Sequence, residues 1–121
     1  MNEKVLIIDN SISYSNSSQL LDNEGYKVDI VHNADAGLQE LSAKTPDVII
    51  VKESPEAESW QLCEKIRRVS RMPLIVISTN ASAETSVKAI SAGADYFMRK
   101  QFGQLEFLAR VRSLLRRASP N

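Results

Sequence analysis

The sequence predicts an α/β domain with five strands in one parallel sheet and helices on both faces. Short apolar runs rich in Val and Ile recur along the chain, as in strands that are buried on both faces. Segments with helical spacing follow these runs, and strict alternation favours a parallel sheet because right-handed crossovers cover both faces. The runs span residues 5–8, 28–31, 48–51, 74–77 and, more weakly, 94–98.

The predicted helices have recognisable ends. The first, around Leu20, stops at Gly25, and the second begins after Asn33, a good amino-terminal cap. The third opens with Ser54 and Pro55 in cap and first-turn positions. The fourth covers residues 82–93 and the fifth residues 103–117. The expected buried faces are Leu38 and Leu41 in the second helix, Leu62, Ile66 and Val69 in the third, and Leu105, Leu108, Val111 and Leu115 in the fifth.

Length and composition indicate a single domain of ordinary globular type. The chain has 121 residues, 15 basic and 15 acidic side chains, and a formal net charge of zero, so no global field favours nucleic acid or a membrane surface. We expect the domain to cover residues 1–117, with 118–121 as a frayed end or the start of a linker. The apolar runs are far shorter than the ~20 residues that span a bilayer. We therefore expect a cytoplasmic protein.

Metal and catalytic signatures are sparse. The single cysteine, Cys63, excludes an internal disulfide. Because His32 is the single histidine, the sequence also offers no Cys and His cluster for zinc. Any metal must be held by oxygen. In parallel α/β sheets, ligands bind at the carboxyl ends of the strands. The residues at those ends are Asp9 and Asn10, Lys52 and Glu53, Ser78, and Lys100.

Four motifs, "KVLIIDN", "PDVIIVK", "MPLIVIST" and "AGADYFMRKQF", resemble the receiver domain of two-component response regulators over nearly the whole chain. The resemblance implies the flavodoxin-like (CheY-like) fold. It also implies a pocket in which two adjacent acids hold Mg²⁺, an aspartate at the end of the third strand takes a phosphoryl group, and a hydroxyl and a lysine bind the phosphoryl oxygens. Asp9, Ser78 and Lys100 match this pattern.

The same resemblance exposes two departures in the pocket. Asn10 replaces the second acid, and Lys52 stands where the phosphoacceptor aspartate belongs. A lysine cannot form an aspartyl phosphate, and its ammonium repels Mg²⁺. The sequence therefore predicts a pseudo-receiver that is independent of phosphorylation, with no catalytic residue and no cofactor, and with Asp9 as the remnant of the metal site.

The Lys52 side chain has two possible positions. We expect it to take the place of the bound cation and pair with Asp9, although its long side chain could instead extend into solvent. Glu53 could serve as a displaced phosphoacceptor only if the strand register shifted, because successive strand residues point to opposite faces. Phe97 occupies the aromatic switch position and lacks a hydroxyl, so any switching must come from partner or ligand binding.

The last helix, "LEFLARVRSLLRR", resembles that of the winged-helix (OmpR-type) transcription factors, which dimerise through the fourth helix, fifth strand and fifth helix. This resemblance implies a weak homodimer. Its apolar patch would be Val87, Ile90 and Leu108, with Asp95, Glu106, Arg110 and Arg117 at the rim. Leu108 could alternatively pack in the core. Ser86 stands where the fourth helix of that family usually has a basic residue, and Lys88 would supply this cation instead. Trp60 is a further candidate contact.

Three functions follow from these features. The first is a phosphorylation-independent protein-binding module, which could regulate transcription through an effector domain. The second is a Mg²⁺-dependent phosphoacceptor that uses Glu53. The third, a nucleotide binder of unrelated type, is weak because no glycine-rich phosphate loop follows any strand. Residues 1–121 contain no helix-turn-helix, so we expect no direct DNA binding by this domain. The sensor kinase and other partners are not identified by the sequence.

Overall fold

The computed structural model describes residues 3–10, 16–53, 59–78, 82–99 and 102–118. Within these ranges, five strands alternate with five helices. The strands are β1 (Lys4–Asp9), β2 (Lys27–Val31), β3 (Val48–Glu53), β4 (Leu74–Ser78) and β5 (Tyr96–Arg99). The helices are α1 (Ser17–Asn23), α2 (Ala34–Ala43), α3 (Ser59–Val69), α4 (Ala83–Ser91) and α5 (Gln104–Ala118).

The five strands form one parallel sheet in the order β2-β1-β3-β4-β5, which confirms the predicted fold class. Each face of the sheet carries its own apolar core. On one face, alternate strand residues pack with α1 and α5, and on the other face the intervening residues pack with α2, α3 and α4. The central strands are therefore apolar at nearly every position, and the polar residues that can form a site fall at the strand ends.

The predicted cap of α2 at Asn33 is present, and the structure adds a cap of α4 at Ser82. The Asn33 side chain accepts a hydrogen bond from the Ala36 N–H at 2.8 Å, and the Ser82 hydroxyl accepts one from the Thr85 N–H at 3.1 Å. The predicted cap of α3 at Ser54 lies outside the described residues, and the described helix begins at Ser59. Helix α5 continues to Ala118, one residue beyond the expected domain end, and no helix in the described ranges is long and apolar enough to cross a membrane.

Three residues that were predicted to be buried on helix faces are exposed or only partly buried. Val69 is 53% exposed because it is the last residue of α3, whose buried face is formed instead by Leu62, Cys63 and Ile66. Leu105 is 82% exposed because the helical period turns it away from the side of α5 on which Phe107, Val111 and Leu114 are buried. The buried residues of α5 are Phe107, Leu108, Val111 and Leu114, and Leu115 is only partly buried.

Arg67 connects the end of α3 to the amino-terminal ends of β4 and β5. Its Nε and Nη2 donate to the Gly93 carbonyl at 2.9 and 2.7 Å, and its Nη1 donates to the Met72 carbonyl at 2.6 Å. Its Nη2 also donates to Asp95 Oδ2 at 3.1 Å, and the same oxygen accepts the Leu74 N–H at 2.8 Å. This cluster fixes the end of the sheet opposite to the predicted site.

Candidate functional site

Asp9 and Lys52 meet at the carboxyl edge of the sheet. Asp9 is the last residue of β1, and in the parallel register of β1 and β3 its partner is Lys52. Register partners place their side chains on the same face of a sheet. The Lys52 Nζ lies 3.4 Å from Asp9 Oδ2, so the two side chains form an ion pair.

Burial distinguishes the two members of this pair. The Lys52 side chain is 5% exposed, whereas that of Asp9 is 21% exposed. Lys52 thus turns inward instead of extending into solvent, and the predicted pairing with Asp9 is the arrangement that the structure contains. An ammonium in so dry a position needs a carboxylate close by, because burial of an unpaired charge is strongly unfavourable.

The neighbouring strand-end residues are placed by the backbone. The Asn10 N–H donates to the Lys52 carbonyl at 2.8 Å, which extends the β1–β3 pairing by one step, and Asn10 itself is exposed. Ser78, at the end of β4, is 3% exposed and is the register partner of Glu53. The side chain of Glu53 and the whole of Lys100 lie outside the described residues.

Phe97 lies on β5, opposite Val76 of β4. Its side chain is half-buried and packs against the core that α2, α3 and α4 cover. It also borders a surface cleft of about 250 Å³ that runs along β5 to Phe102, which precedes α5, and to Arg110 of α5. The predicted switch position is therefore in contact with both the core and the surface.

The donor set at this edge does not fit a hard dication. Mg²⁺ prefers carboxylate oxygens, and here the Asp9 carboxylate faces the Lys52 ammonium while Asn10 offers at most a neutral amide. The Asp9–Lys52 pair carries no net charge with which to attract a cation. Among the residues that the structure describes, no group of three or more His, Cys, Asp or Glu side chains could hold a metal ion.

The residues predicted for the dimer face differ in their exposure. Val87 and Ile90 on α4 are 63% and 44% exposed, as an intermolecular patch requires. Leu108 is 7% exposed and belongs to the core beneath α5, so its assignment to the patch is wrong and the alternative core role is correct. The reason is helical phase, because Leu108 follows Phe107 on the side of α5 that faces the sheet.

Three of the predicted rim charges, Asp95, Glu106 and Arg110, make contacts within the chain. Asp95 is paired with Arg67, as described above. The Arg110 guanidinium lies over the Tyr96 ring at 4.5 Å from the ring centroid, and its Nη2 is 3.8 Å from Glu106 Oε2. Arg117 is exposed near the end of α5. Of these rim residues, Asp95 has the shortest ion pair and also accepts a backbone hydrogen bond, from the Leu74 N–H, within its own chain.

Two features were missed by the sequence reasoning. Nothing in the sequence distinguishes Arg67 from its neighbour Arg68, although Arg67 forms the polar cluster between α3, β4 and β5. Trp60 was identified as a candidate contact, but the groove beside it was not. That groove, about 370 Å³, lies between α3 and α4.

Comparison with known proteins agrees with this architecture. Residues 5–112 match the model of the response regulator receiver domain. The chain is 31% identical over 116 residues to the response regulator ArlR of Staphylococcus saprophyticus, covering 94% of this chain and 53% of that protein. It is 28% identical over 123 residues to the response regulator MprA of Mycobacterium bovis, covering 99% and 54%. The chain thus spans about half the length of these curated relatives.

Solved structures show the same fold. The CheY-like response regulator receiver domain protein of Methanospirillum hungatei superimposes with a TM-score of 0.87 at 26% identity, covering 98% of this chain and 97% of that chain. A two-component response regulator from Clostridium difficile gives a TM-score of 0.83 at 25% identity, covering 95% and 97%.

Proposed function

This chain belongs to the response regulator receiver domains of two-component systems, and on that premise we propose that it signals without being phosphorylated. One observation carries the proposal. Lys52 lies at the end of β3, where the resemblance places the phosphoacceptor aspartate, and its ammonium is buried against Asp9. The chain is in this view a pseudo-receiver that acts through protein contacts.

The chemistry of phosphotransfer supports this proposal. The family reaction needs a carboxylate oxygen to attack phosphorus and a Mg²⁺ ion to neutralise the phosphoryl oxygens. An amine at position 52 cannot supply the aspartyl nucleophile. Its ammonium also neutralises Asp9, the one pocket acid that this sequence retains in the described residues. We therefore propose that Mg²⁺ binds weakly or not at all.

The alternative function is a phosphoacceptor that uses Glu53. The observation in its favour is the register, which places the Glu53 backbone beside Ser78, the hydroxyl position of the pocket. Against it, the register partner of Asp9 is Lys52 and not Glu53. The buried Lys52–Asp9 pair makes the phosphorylation-independent function the stronger of the two.

In the absence of a phosphoryl group, the output depends on partners. We propose that the protein acts in the cytoplasm as a non-enzymatic regulator, that it forms a weak homodimer through α4, β5 and α5, and that any control of transcription needs an effector domain. The domain itself does not contact DNA in this proposal. Phe97 has no hydroxyl to move toward Ser78, so switching is assigned to binding events that favour one conformation.

Intact mass after incubation with acetyl phosphate and Mg²⁺ tests the proposal. The wild type is expected to stay unmodified. Lys52→Asp combined with Asn10→Asp restores both missing acids and is expected to gain one phosphoryl group. Lys52→Asn combined with Asn10→Asp is the matched control, because it removes the ammonium without supplying a nucleophile. A phosphoryl group on the wild type would overturn the proposal, and its loss in Glu53→Gln would establish the alternative.

A further inference from the structure

Strand β2 forms an edge of the sheet, and within the described ranges its strand partner is β1 alone. The Lys27 N–H donates to the Glu3 carbonyl at 2.9 Å, so the backbone groups of Lys27 face β1. Neighbouring residues of a strand direct their N–H and C=O groups to opposite sides, and those of Val28 and Ile30 therefore face outward. An edge with outward backbone groups can accept a further strand.

An apolar strip reaches this edge on the face that α1 and α5 cover. Val28 and Ile30 are the register partners of Val5 and Ile7, which belong to the core on that face. Tyr26 and Val28 are partly buried against this core. Ile30 is 43% exposed, and among the large exposed hydrophobic residues of the described ranges it is the one that lies on a strand. The strip is thus left uncovered at Ile30.

The opposite face of the same edge carries charge. Lys27 and Asp29 are both exposed there. Asp29 lies 3.9 Å from the Lys44 ammonium, but this pair is weak because both side chains are more than half exposed. Charges on an edge strand ordinarily oppose pairing with another strand. Here the two charges have opposite signs and lie two residues apart, so a copy of β2 that runs antiparallel can meet each charge with its opposite.

We infer that a second copy of this chain adds its β2 antiparallel to β2, with Val28 opposite Val28 of the other copy. In this register Lys27 lies opposite Asp29 and Tyr26 opposite Ile30, each twice because of the two-fold symmetry. The two Val28 residues exchange N–H and C=O bonds, and the Ile30 N–H of each copy reaches the Tyr26 carbonyl of the other. A register centred on Asp29 or on Lys27 would place like charges opposite each other. One centred on Ile30 would leave both charges without an opposite partner.

This interface goes beyond the proposed function and does not rest on it. The proposed homodimer uses β5 and its flanking helices, whereas β2 is the other edge of the five-stranded sheet. The two contacts share no residue. The zero net charge of the chain imposes no long-range repulsion on the association. The edge therefore fits a second copy in backbone bonding, in apolar contact and in charge.

Sedimentation velocity over a concentration series up to about 1 mM tests this inference by charge reversal. The wild type is expected to self-associate. Lys27→Asp and Asp29→Lys each place two like-charge pairs in the interface, and each should weaken association at least ~10-fold. An equal mixture of these two variants should associate like the wild type, because every reversed charge then faces an unlike one. Lys65→Asp, the same change at an exposed position of α3, is the matched control and should not weaken association.

The double variant Lys27→Asp with Asp29→Lys separates local pairing from net charge, because it keeps the net charge of the wild type and should associate equally well. Hydrogen exchange adds a local measurement. Exchange of the Val28 and Ile30 amides should slow as concentration rises, while the Lys27 amide, already bonded to Glu3, serves as the internal reference.

Three outcomes would each overturn the inference. They are wild-type protein that stays monomeric, association that Lys27→Asp leaves unchanged, and a mixture or double variant that associates no more strongly than the single variants. The second outcome would place the association at another surface and leave the proposed homodimer through α4, β5 and α5 standing. None of the three affects the phosphotransfer test, which addresses Lys52 by mass.

Discussion

The Lys52 ammonium lies 3.4 Å from the Asp9 carboxylate, but the two side chains differ in solvent contact, at 5% and 21% exposure. This asymmetry predicts unequal effects of removing either partner. Asp9→Asn leaves a cation in a nearly dry position and is expected to cost roughly 3 kcal/mol of unfolding free energy. Lys52→Met leaves a carboxylate that water still reaches, and its cost should be about half as large.

The double variant Asp9→Asn with Lys52→Met closes the thermodynamic cycle. Since a buried ion pair gains little over neutral groups of similar volume, the double variant is expected within about 1 kcal/mol of the wild type. Urea unfolding with a constant m-value measures all four proteins. Additive single effects would show that the pair has no coupling.

Gly37 provides the second prediction, because α2 packs on β1 at this residue. A Cβ atom at position 37 would collide with Ile8 Cδ1 and stand 2.7 Å from Ile8 Cγ1, closer than packed carbons allow. Gly37→Ala is therefore expected to destabilise the fold by about 1–3 kcal/mol, despite the better helix propensity of alanine. Ile8→Val shortens the obstructing side chain and should recover part of the loss in the double variant. Gln39→Ala, at an exposed position of the same helix, is the control.

The strands and their parallel arrangement followed from the sequence because continuous Val and Ile runs that alternate with helical segments have few other solutions. Helix faces were less certain. Val69 continues the 3.6-residue period but is the last residue of α3, and Leu105 lies off the side of α5 on which Phe107 and Val111 are buried. A short periodic pattern leaves the centre and the length of the buried side open, and this is why both residues were expected to be buried.

The site was partly predictable for a related reason. The rule that strand ends form the pocket identified Asp9 and Lys52, and charge predicted their pairing. The involvement of Asp95 with Arg67 was not predictable, because the two residues are 28 positions apart and neither stands in a motif that indicates the contact. Long-range ion pairs of this kind depend on how loops return to the sheet.

Tyr26 predicts a dependence on alkaline pH. Burial raises the pKa of this phenol above its usual value of 10.0, with smaller contributions in the same direction from Glu3 and Glu24, while Arg112 lowers it. The folded state then holds the proton more tightly than the unfolded chain. Its contribution to stability is complete below the unfolded pKa and is lost as pH rises through the folded pKa.

Tyr26→Phe should accordingly flatten the decline of unfolding free energy above pH 10.0. Arg112→Met removes the cation that favours phenolate, so the pKa of Tyr26 should rise further. Ultraviolet titration of phenolate absorbance in the wild type and both variants measures this, with Tyr26→Phe identifying the signal of Tyr26. A fall in the pKa of Tyr26 in Arg112→Met would contradict the assignment.

Arg67 carries the last prediction, because one guanidinium serves α3, β4 and β5 together. Arg67→Ala leaves the carbonyls of Gly93 and Met72 and the carboxylate of Asp95 without this donor, and we expect a loss of roughly 2–4 kcal/mol. Arg67→Lys should recover little, since a single ammonium cannot reproduce the planar fork. Asp95→Asn should cost less than Arg67→Ala, because the amide oxygen can still accept from the Leu74 N–H.

The neighbouring Arg68 is exposed and provides the matched control, with Arg68→Ala expected within about 0.5 kcal/mol of the wild type. Urea unfolding gives the free energies, and hydrogen exchange of the Leu74 amide gives a local measurement. If Arg67 fixes the amino-terminal ends of β4 and β5, protection at Leu74 should fall in Arg67→Ala by more than the global loss explains. Equal losses in the two arginine variants would show that the cluster contributes nothing specific.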